Sequence, residues 1–279
     1  MFIEFLKSIF LGIVQGITEW LPVSSTGHMI LVDEFLKFKA SDAFMEMFMV
    51  VIQLGSILAV LVLYFNKLNP FSLTKTKAER KQTVNLWLKV IIGVIPAAAI
   101  GLFLDDWFDE HFYNFIVVAI ALIVYGIVFI LIERIRNKNN TLQPKTETVD
   151  DITYRDAFAI GCFQVLSLIP GTSRSGSTII GGILCRVSRV AASEFSFFMA
   201  IPVMLGASLL KVLKFILDGN TLAYSEILIL LVSVAVAFAV SLISIKFLID
   251  FVKRHSFECF GWYRIALGMI VLIYYFVRY

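Results

Sequence analysis

"GITEWLPVSSTGHMI", residues 16–30, interrupts an apolar N-terminal stretch with a glutamate, a proline, two serines, two threonines and a histidine. A hydrophobic core accepts such groups only when they are paired, and a lipid bilayer accepts them even less readily. Proline also tends to end a helix, because it lacks the amide hydrogen and clashes with the preceding turn. The stretch therefore predicts a broken helix whose polar groups face the inside of a protein.

The composition of the whole chain indicates a membrane protein. Of its 279 residues, 59% are hydrophobic and 16% are charged, whereas about a quarter of the residues of a soluble domain are charged. Several apolar runs reach the roughly 20 residues that a helix needs to cross hydrocarbon. They are continuous rather than alternating, which favours helices over a β-barrel. We therefore predict an all-α integral membrane protein, and a net charge of +3 gives no reason to expect a nucleic acid partner.

Apolar runs long enough to cross a membrane occur six times. The predicted spans are 43–65, 84–104, 112–134, 193–217, 224–252 and 258–278. Residues 1–36 and 155–190 are different, because in each an apolar run meets a proline with Ser, Thr and Gly and is followed by a second run too short to span. These two segments are predicted to be re-entrant helical hairpins.

The charges of the connections orient these segments. Lys and Arg are concentrated in 66–83, 134–155 and 253–255, and they favour the cytoplasmic side. The acidic 105–111 and the 218–220 connections are then expected outside. By this count the 155–192 stretch enters and leaves from the cytoplasmic side, and residues 1–42 form the matching hairpin from the outer side.

The two hairpin sequences resemble each other. "GIVQGITEWLPVSSTGH" from Gly12 aligns with "GCFQVLSLIPGTSRSGST" from Gly161, with one residue of slippage at the prolines. Similar halves of opposite orientation form the inverted-topology repeat of many transporter folds. We predict a single membrane domain, 1–279, with one half at 1–134, a cytoplasmic connection at 135–154 and a second half at 155–279.

The broken segments are the expected place for chemistry. Irregular backbone at membrane depth must be buried in protein or line a cavity, so the turns 22–27 and 170–176 should meet. Each turn begins a second helix, and two helix N-termini together with Arg174 would form a phosphate pocket. Gln15 and Glu19 share a helix face, which aims Glu19 at this pocket. Alternatively, Glu19 pairs with Arg174 only to hold the hairpins together.

The hydroxyl groups of the two turns allow several interpretations. Ser24 is expected to cap the helix that begins near His28. Ser25 and His28 could be a nucleophile and its base, or His28 could be structural. The second turn has hydroxyl groups that are either helix caps or phosphate donors: Ser173, Ser175, Ser177 and Thr178.

Both motifs together resemble one family from end to end, the bacitracin-resistance type of undecaprenyl-diphosphatase. Its members carry an [E/Q]-x-x-x-E motif that runs into PxSSTGH, and a PGxSRSxxT motif. The corresponding segments here are "QGITEWLPVSSTGH", 15–28, and "PGTSRSGST", 170–178. The resemblance implies a multi-pass enzyme of the bacterial cytoplasmic membrane, with its active site facing the outer side. Its implied activity is hydrolysis of undecaprenyl diphosphate to the monophosphate, which recycles the lipid carrier of cell-wall synthesis and confers bacitracin resistance.

The resemblance also implies roles for individual residues and a divalent cation, Mg²⁺ or Ca²⁺. The positions that match the family's functional residues are Glu19, Ser25, His28 and Arg174, with Glu19 as the metal ligand. Substrate contacts are expected from Gln15, Thr26, Gly27, Ser173, Ser175 and Thr178. Many members have Glu where this chain has Gln15, and a neutral amide binds a cation less well.

Two reaction schemes and one different function remain open at this point. Ser25, deprotonated by His28 or Glu19, could attack the terminal phosphorus, or the same groups could activate a water molecule. The expected partners are a polyprenyl diphosphate and membrane lipid, with a homo-oligomer possible. Inverted repeats with broken helices also occur in transporters, so a polyprenyl-phosphate flippase that uses the same pocket is the alternative.

Overall fold

The structure is a computed structural model that describes residues 2–36, 40–112, 114–138 and 142–278. Its helices are α1 (Phe2–Thr18), α2 (Ser25–Leu36), α3 (Asp42–Val51), α4 (Gln53–Leu63), α5 (Phe65–Leu68), α6 (Lys77–Phe112), α7 (Phe115–Lys138), α8 (Tyr154–Val165), α9 (Arg174–Leu184), α10 (Arg189–Leu217), α11 (Tyr224–Arg254) and α12 (Glu258–Arg278). Short 3₁₀ turns lie at Val149–Asp151 and Leu166–Leu168. The only β pairing within the described ranges is an isolated bridge between Thr146 and Val187.

The six predicted spans are confirmed. Helices long and apolar enough to cross a membrane occur at Asp42–Leu63, Lys77–Leu104, Phe115–Lys138, Arg189–Leu217, Tyr224–Arg254 and Glu258–Arg278. Much of their apolar surface faces outward: Ile243 is 71% exposed and Ile273 60%. Such a surface suits hydrocarbon rather than water, since a soluble protein rarely exposes large contiguous apolar patches.

The acidic connection predicted at 105–111 is helical instead. Helix α6 continues through it to Phe112, and α7 begins at Phe115. Asp and Glu have moderate to good helix propensity and do not by themselves end a helix. The stop signal is Asn114, whose side-chain oxygen accepts the Val117 amide at 3.0 Å and thereby caps α7.

The two predicted hairpins are present as α1–α2 and α8–α9, and their turns have the same geometry. Ser24 (φ 72°) and Ser173 (φ 74°) both adopt the left-handed region that disfavours side chains. The Ser24 hydroxyl accepts the Gly27 amide at 3.2 Å, and the Ser173 hydroxyl accepts the Gly176 amide at 3.1 Å. Ser24 therefore caps α2 as expected, although that helix begins at Ser25 rather than near His28.

This cap geometry places the two halves in register. Gly12, Gln15 and Ser24 have the same spacing as Gly161, Gln164 and Ser173. Only the prolines are out of step, because one lies two residues before its cap serine and the other lies three before. The slippage in the sequence alignment is thus confined to the turn itself.

Each half packs its hairpin against a helix of the other half. Helix α1 packs against α11 of the second half, and α8 packs against α6 of the first half. A Cβ on Gly12 would lie 2.8 Å from the Ser233 carbonyl oxygen, and a Cβ on Gly161 would overlap the Gly93 carbonyl. Helices α7 and α12, the last of each half, pack on each other. These contacts have the symmetry of the inverted repeat and bring both turns into the interior, while the exact limits of the halves and the single-domain assignment stay predictions.

Candidate active site

Glu19 is the centre of a buried polar cluster where the two hairpin turns meet. Its side chain is 4% exposed, and its carboxylate accepts hydrogen bonds from three groups. Gln15 Nε2 (2.9 Å) and Ser25 Oγ (3.0 Å) donate to Oε2, and Arg174 Nη2 (2.9 Å) donates to Oε1. The prediction that Gln15 and Glu19 share a helix face is confirmed, and the carboxylate does pair with Arg174.

Arg174 begins α9 and is held on several sides. Its Nη1 donates to the Ser196 carbonyl oxygen at 2.8 Å, and the guanidinium carbon lies 5.7 Å from the centre of the Trp20 ring. Its Nε is buried and has no hydrogen-bond partner in the described structure. A guanidinium fork that retains a free N–H can still bind a phosphate oxygen. The geometry of Arg174 therefore suits anion binding beside Glu19.

The first residues of two helices meet at the Glu19 carboxylate. Ser25 is the first residue of α2 and Arg174 is the first of α9. The first amides of a helix have no acceptor within the helix, and the positive end of the helix dipole lies there. The two turns therefore meet as expected, and Ser25 and Arg174 both reach the Glu19 carboxylate; a phosphate pocket at this place stays a prediction.

The hydroxyl groups of the second turn bond to the protein itself. Ser173 caps α9, and its Oγ lies 3.2 Å from Ser175 Oγ. Ser175 is buried and donates to the Glu19 carbonyl oxygen at 3.2 Å. Thr178 Oγ1 is buried and lies 2.7 Å from Ser196 Oγ. These bonds cap α9 and hold it against neighbouring segments. A substrate contact by Ser173, Ser175 or Thr178 stays a prediction.

His28 is not the partner of Ser25 in this structure. Its Nδ1 lies 2.7 Å from the Ser24 carbonyl oxygen, and its Nε2 lies 2.7 Å from the Tyr263 hydroxyl, with the two rings parallel. A carbonyl oxygen only accepts, so Nδ1 of the neutral ring carries the proton and Nε2 accepts from Tyr263. Ser25 instead donates to the Glu19 carboxylate, so a nucleophile–base role for Ser25 with His28 stays a prediction without a direct contact in this structure.

Thr26 and Gly27 have different surroundings in the same helix turn. Thr26 is partly exposed at the start of α2, where it can meet a ligand. Gly27 is buried, and a Cβ there would lie 3.5 Å from the side chains of Val118 and Leu122. Gly27 thus packs against α7, while its amide bonds to the Ser24 cap.

The oxygen donors of the site are compatible with a hard divalent cation. Glu19 supplies one carboxylate, and the Ser25 hydroxyl and the Gln15 side-chain amide, which also carries an oxygen, lie next to it. No group of three or more His, Cys, Asp or Glu side chains that could hold a metal occurs in the part of the chain that the structure describes. Mg²⁺ is commonly held by one or two carboxylates together with substrate phosphates and water. The donor set fits that mode and does not form an all-protein cage.

Four residues around this site were not identified from the sequence. Trp20 and Ser196 contact Arg174, Tyr263 contacts His28, and Arg264 contacts the backbone of both turns. Arg264 alone had a recognisable signal, because an ionisable residue within a membrane span indicates a functional position. The other three are ordinary in their helices, so only their contacts reveal them.

Comparison with known proteins gives one family along nearly the whole chain. Residues 8–270 match the family model described as bacitracin resistance protein BacA. A protein of Enterococcus faecalis is 58% identical over 274 residues, which cover 98% of each chain. One of Limosilactobacillus fermentum is 58% identical over 273 residues, and one of Streptococcus pneumoniae is 55% identical over 277. All three relatives are named undecaprenyl-diphosphatase.

Proposed function

The chain belongs to the BacA family of bacitracin resistance proteins, and we propose that it hydrolyses undecaprenyl diphosphate to undecaprenyl phosphate and inorganic phosphate. The name shared by relatives that are 55–58% identical supports this activity. The structural observation that carries it is the Glu19–Arg174 pair at the junction of two helix N-termini, with Ser25 hydrogen-bonded to the same carboxylate. This arrangement combines an anion site, a general base and a nucleophile.

Substrate binding begins with the phosphate oxygens. Arg174 and the first amides of α2 and α9 supply the positive potential that a diphosphate needs, in a site from which bulk water is largely excluded. The Trp20 ring lies close enough to the Arg174 guanidinium for a cation–π contact. The prenyl chain remains in lipid alongside the helices, so that only the head group enters the pocket.

Chemistry follows from the bond between Ser25 and Glu19. Glu19 takes the Ser25 proton as the Ser25 oxygen bonds to the terminal phosphorus, and the bridging P–O bond breaks with undecaprenyl phosphate as the leaving group. Water then cleaves the phosphoserine, releasing inorganic phosphate and restoring Ser25. In the competing scheme Glu19 activates a water molecule directly, and Ser25 only binds substrate. The 3.0 Å distance between Ser25 Oγ and Glu19 Oε2 supports the first scheme.

A divalent cation is part of the proposal. Glu19 and the amide oxygen of Gln15 are the groups that would hold it, together with the phosphates of the substrate. When bound, Mg²⁺ or Ca²⁺ neutralises charge on the phosphate oxygens. Because Gln15 is neutral, Glu19 supplies the carboxylate that would bind the cation.

The proposed location is the bacterial cytoplasmic membrane, with the pocket open to the outer side. The support is the distribution of Lys and Arg, which are concentrated in the 66–83, 134–155 and 253–255 connections. Recycling of the lipid carrier for peptidoglycan synthesis follows from hydrolysis on that side. A homo-oligomer and the absence of a nucleic acid partner stay expectations. The flippase alternative gains no support from the relatives, whose names denote a phosphatase.

The test is phosphate release from purified protein in detergent supplied with undecaprenyl diphosphate. Wild type, Glu19→Ala, Ser25→Ala and Arg174→Ala are compared in Mg²⁺, in Ca²⁺ and in EDTA. Glu46→Ala, which removes a carboxylate paired with Lys211 on another part of the molecule, is the matched control and should remain active. Loss of release in the Glu19 and Arg174 variants supports the proposal. No release from folded wild type in any condition would refute it.

A further inference from the structure

Arg264 is a buried charged residue that connects the two hairpin turns. It lies in α12 with no exposed surface. Its Nη1 donates to the Pro22 carbonyl oxygen at 3.2 Å, and its Nη2 donates to those of Gly171 (2.8 Å) and Thr172 (3.0 Å). Pro22 belongs to the first turn, and Gly171 and Thr172 belong to the second. One guanidinium thus holds backbone from both halves of the repeat.

The groups that Arg264 holds come directly before the strained helix caps. Ser24 and Ser173 have φ angles of 72° and 74°, and Gly171 has φ 93°. A residue with a side chain is strained in this region and persists there only where surrounding contacts enforce it. The bonds from Arg264 supply such contacts at both turns. Because these caps begin α2 and α9, the turns determine where Ser25 and Arg174 lie relative to each other.

No carboxylate of the described residues forms an ion pair with Arg264. The ion pairs found in the described parts of the chain include Glu19 with Arg174, but none that involves Arg264. Its other neighbour is the Tyr125 ring, whose centre lies 5.5 Å away, and its Nε has no hydrogen-bond partner in the described structure. Since Glu19 and Arg174 offset each other, Arg264 leaves a net positive charge beside the two turns. Charges separated by low-dielectric protein interact far more strongly than charges in water.

We propose that Arg264 is a positioning residue for the proposed phosphoryl transfer, on which this inference rests. The guanidinium N–H groups of Arg264 hold the two turns so that Ser25 and Arg174 contact the same phosphate group. The positive charge of Arg264 attracts the diphosphate. Two substitutions at Arg264 can distinguish the effect of its hydrogen bonds from the effect of its charge. Lysine retains the charge but presents a single ammonium group that cannot reproduce the planar fork. Glutamine removes the charge but retains a donor.

The experiment measures kcat and KM for undecaprenyl diphosphate, together with the thermal unfolding midpoint in detergent, for wild type, Arg264→Lys and Arg264→Gln. Displacing a reacting group by about 1 Å can cost about 10²-fold in rate. We therefore expect kcat of Arg264→Lys to fall by about that factor with KM within about threefold of wild type. Arg264→Gln should lose kcat and also raise KM by about tenfold or more. Arg134→Lys and Arg134→Gln, at an exposed arginine of α7 near Glu258, are matched controls and should behave as wild type.

The split between kcat and KM separates positioning from folding. If activity in both Arg264 variants falls only in proportion to the folded fraction, with kcat and KM of the folded protein unchanged, Arg264 is purely structural and the inference is wrong. Wild-type kinetics in either variant would also overturn it. An inactive wild type alongside inactive Arg134 controls refutes the proposed function, and this inference with it.

Discussion

Replacing Gln15 with glutamate should make this protein more dependent on a divalent cation. In the structure the Gln15 amide donates to Glu19 Oε2 at 2.9 Å. Ser25 donates to the same oxygen, and Arg174 donates to Oε1. In Gln15→Glu the donor becomes a second carboxylate at the same place. Two negative charges about 4 Å apart repel by about 4 kcal/mol at an effective dielectric constant of about 20. Arg174 can offset only part of that repulsion, because it already pairs with Glu19.

A bound divalent cation relieves this repulsion. If all of it were transferred to cation binding, 4 kcal/mol would correspond to about a 10³-fold gain in affinity, since about 1.4 kcal/mol is tenfold. Protonation of one carboxylate and rearrangement of the side chains reduce the gain. We therefore expect the half-saturating Mg²⁺ concentration of Gln15→Glu to fall by about tenfold or more.

Two assays follow the same change. Phosphate release is titrated with Mg²⁺ from an EDTA-treated sample, and the thermal unfolding midpoint without substrate is titrated in parallel, because a ligand that binds only the folded state raises it. Gln15→Glu should unfold at a lower temperature than wild type in EDTA and recover with Mg²⁺. Gln15→Met, which loses the hydrogen bond without adding charge, is the control and should show no such recovery. Identical Mg²⁺ titrations for wild type and Gln15→Glu would refute the reasoning and place the cation elsewhere.

Three further substitutions test other contacts. Arg174→Lys retains the charge but loses the guanidinium fork, so kcat/KM should fall by about 10²-fold in the phosphate-release assay; a change below about threefold would contradict the role of the fork. Tyr263→Phe removes the hydroxyl that donates to His28 Nε2, and one neutral hydrogen bond is worth about 0.5–1.5 kcal/mol. Its kcat should therefore fall by about two- to tenfold, with a loss of unfolding free energy no larger than that of one hydrogen bond, and unchanged turnover would show that this bond does not serve catalysis. Gly161→Ala places a Cβ against a backbone carbonyl of α6, whereas a Cβ at Gly206 meets nothing within 4 Å. Gly161→Ala should therefore destabilise the protein by about 1–3 kcal/mol in a denaturant titration while Gly206→Ala has little effect, and equal stabilities would show that the α6–α8 contact is looser than described.

The membrane architecture and the location of the site could be predicted from the sequence, because their signals are local. The six spans follow from the length of apolar runs, and the broken segments follow from prolines and hydroxyl residues inside such runs. Gln15 and Glu19 share a face because four residues make about one helical turn. The span before the predicted 105–111 connection does end at Leu104, but the connection itself is helical, because α6 continues to Phe112. There the connection is defined by the Asn114 cap and not by the charges.

The amino-acid pattern alone places a glutamate, a serine and an arginine in two polar turns of a helical membrane protein with repeated halves. Their bonding partners depend on the folded chain, in which Ser25 donates to Glu19 and His28 bonds to Tyr263. Folding also brings Arg264 to the Pro22 carbonyl, 242 positions away along the chain. The physical reason is that periodicity and helix-breaking residues act within a few turns, whereas hydrogen-bond partners are selected by competition among groups that packing brings together. The amino-acid sequence shows which donors and acceptors are available. The packing of the two halves determines which of them come within about 3 Å of each other.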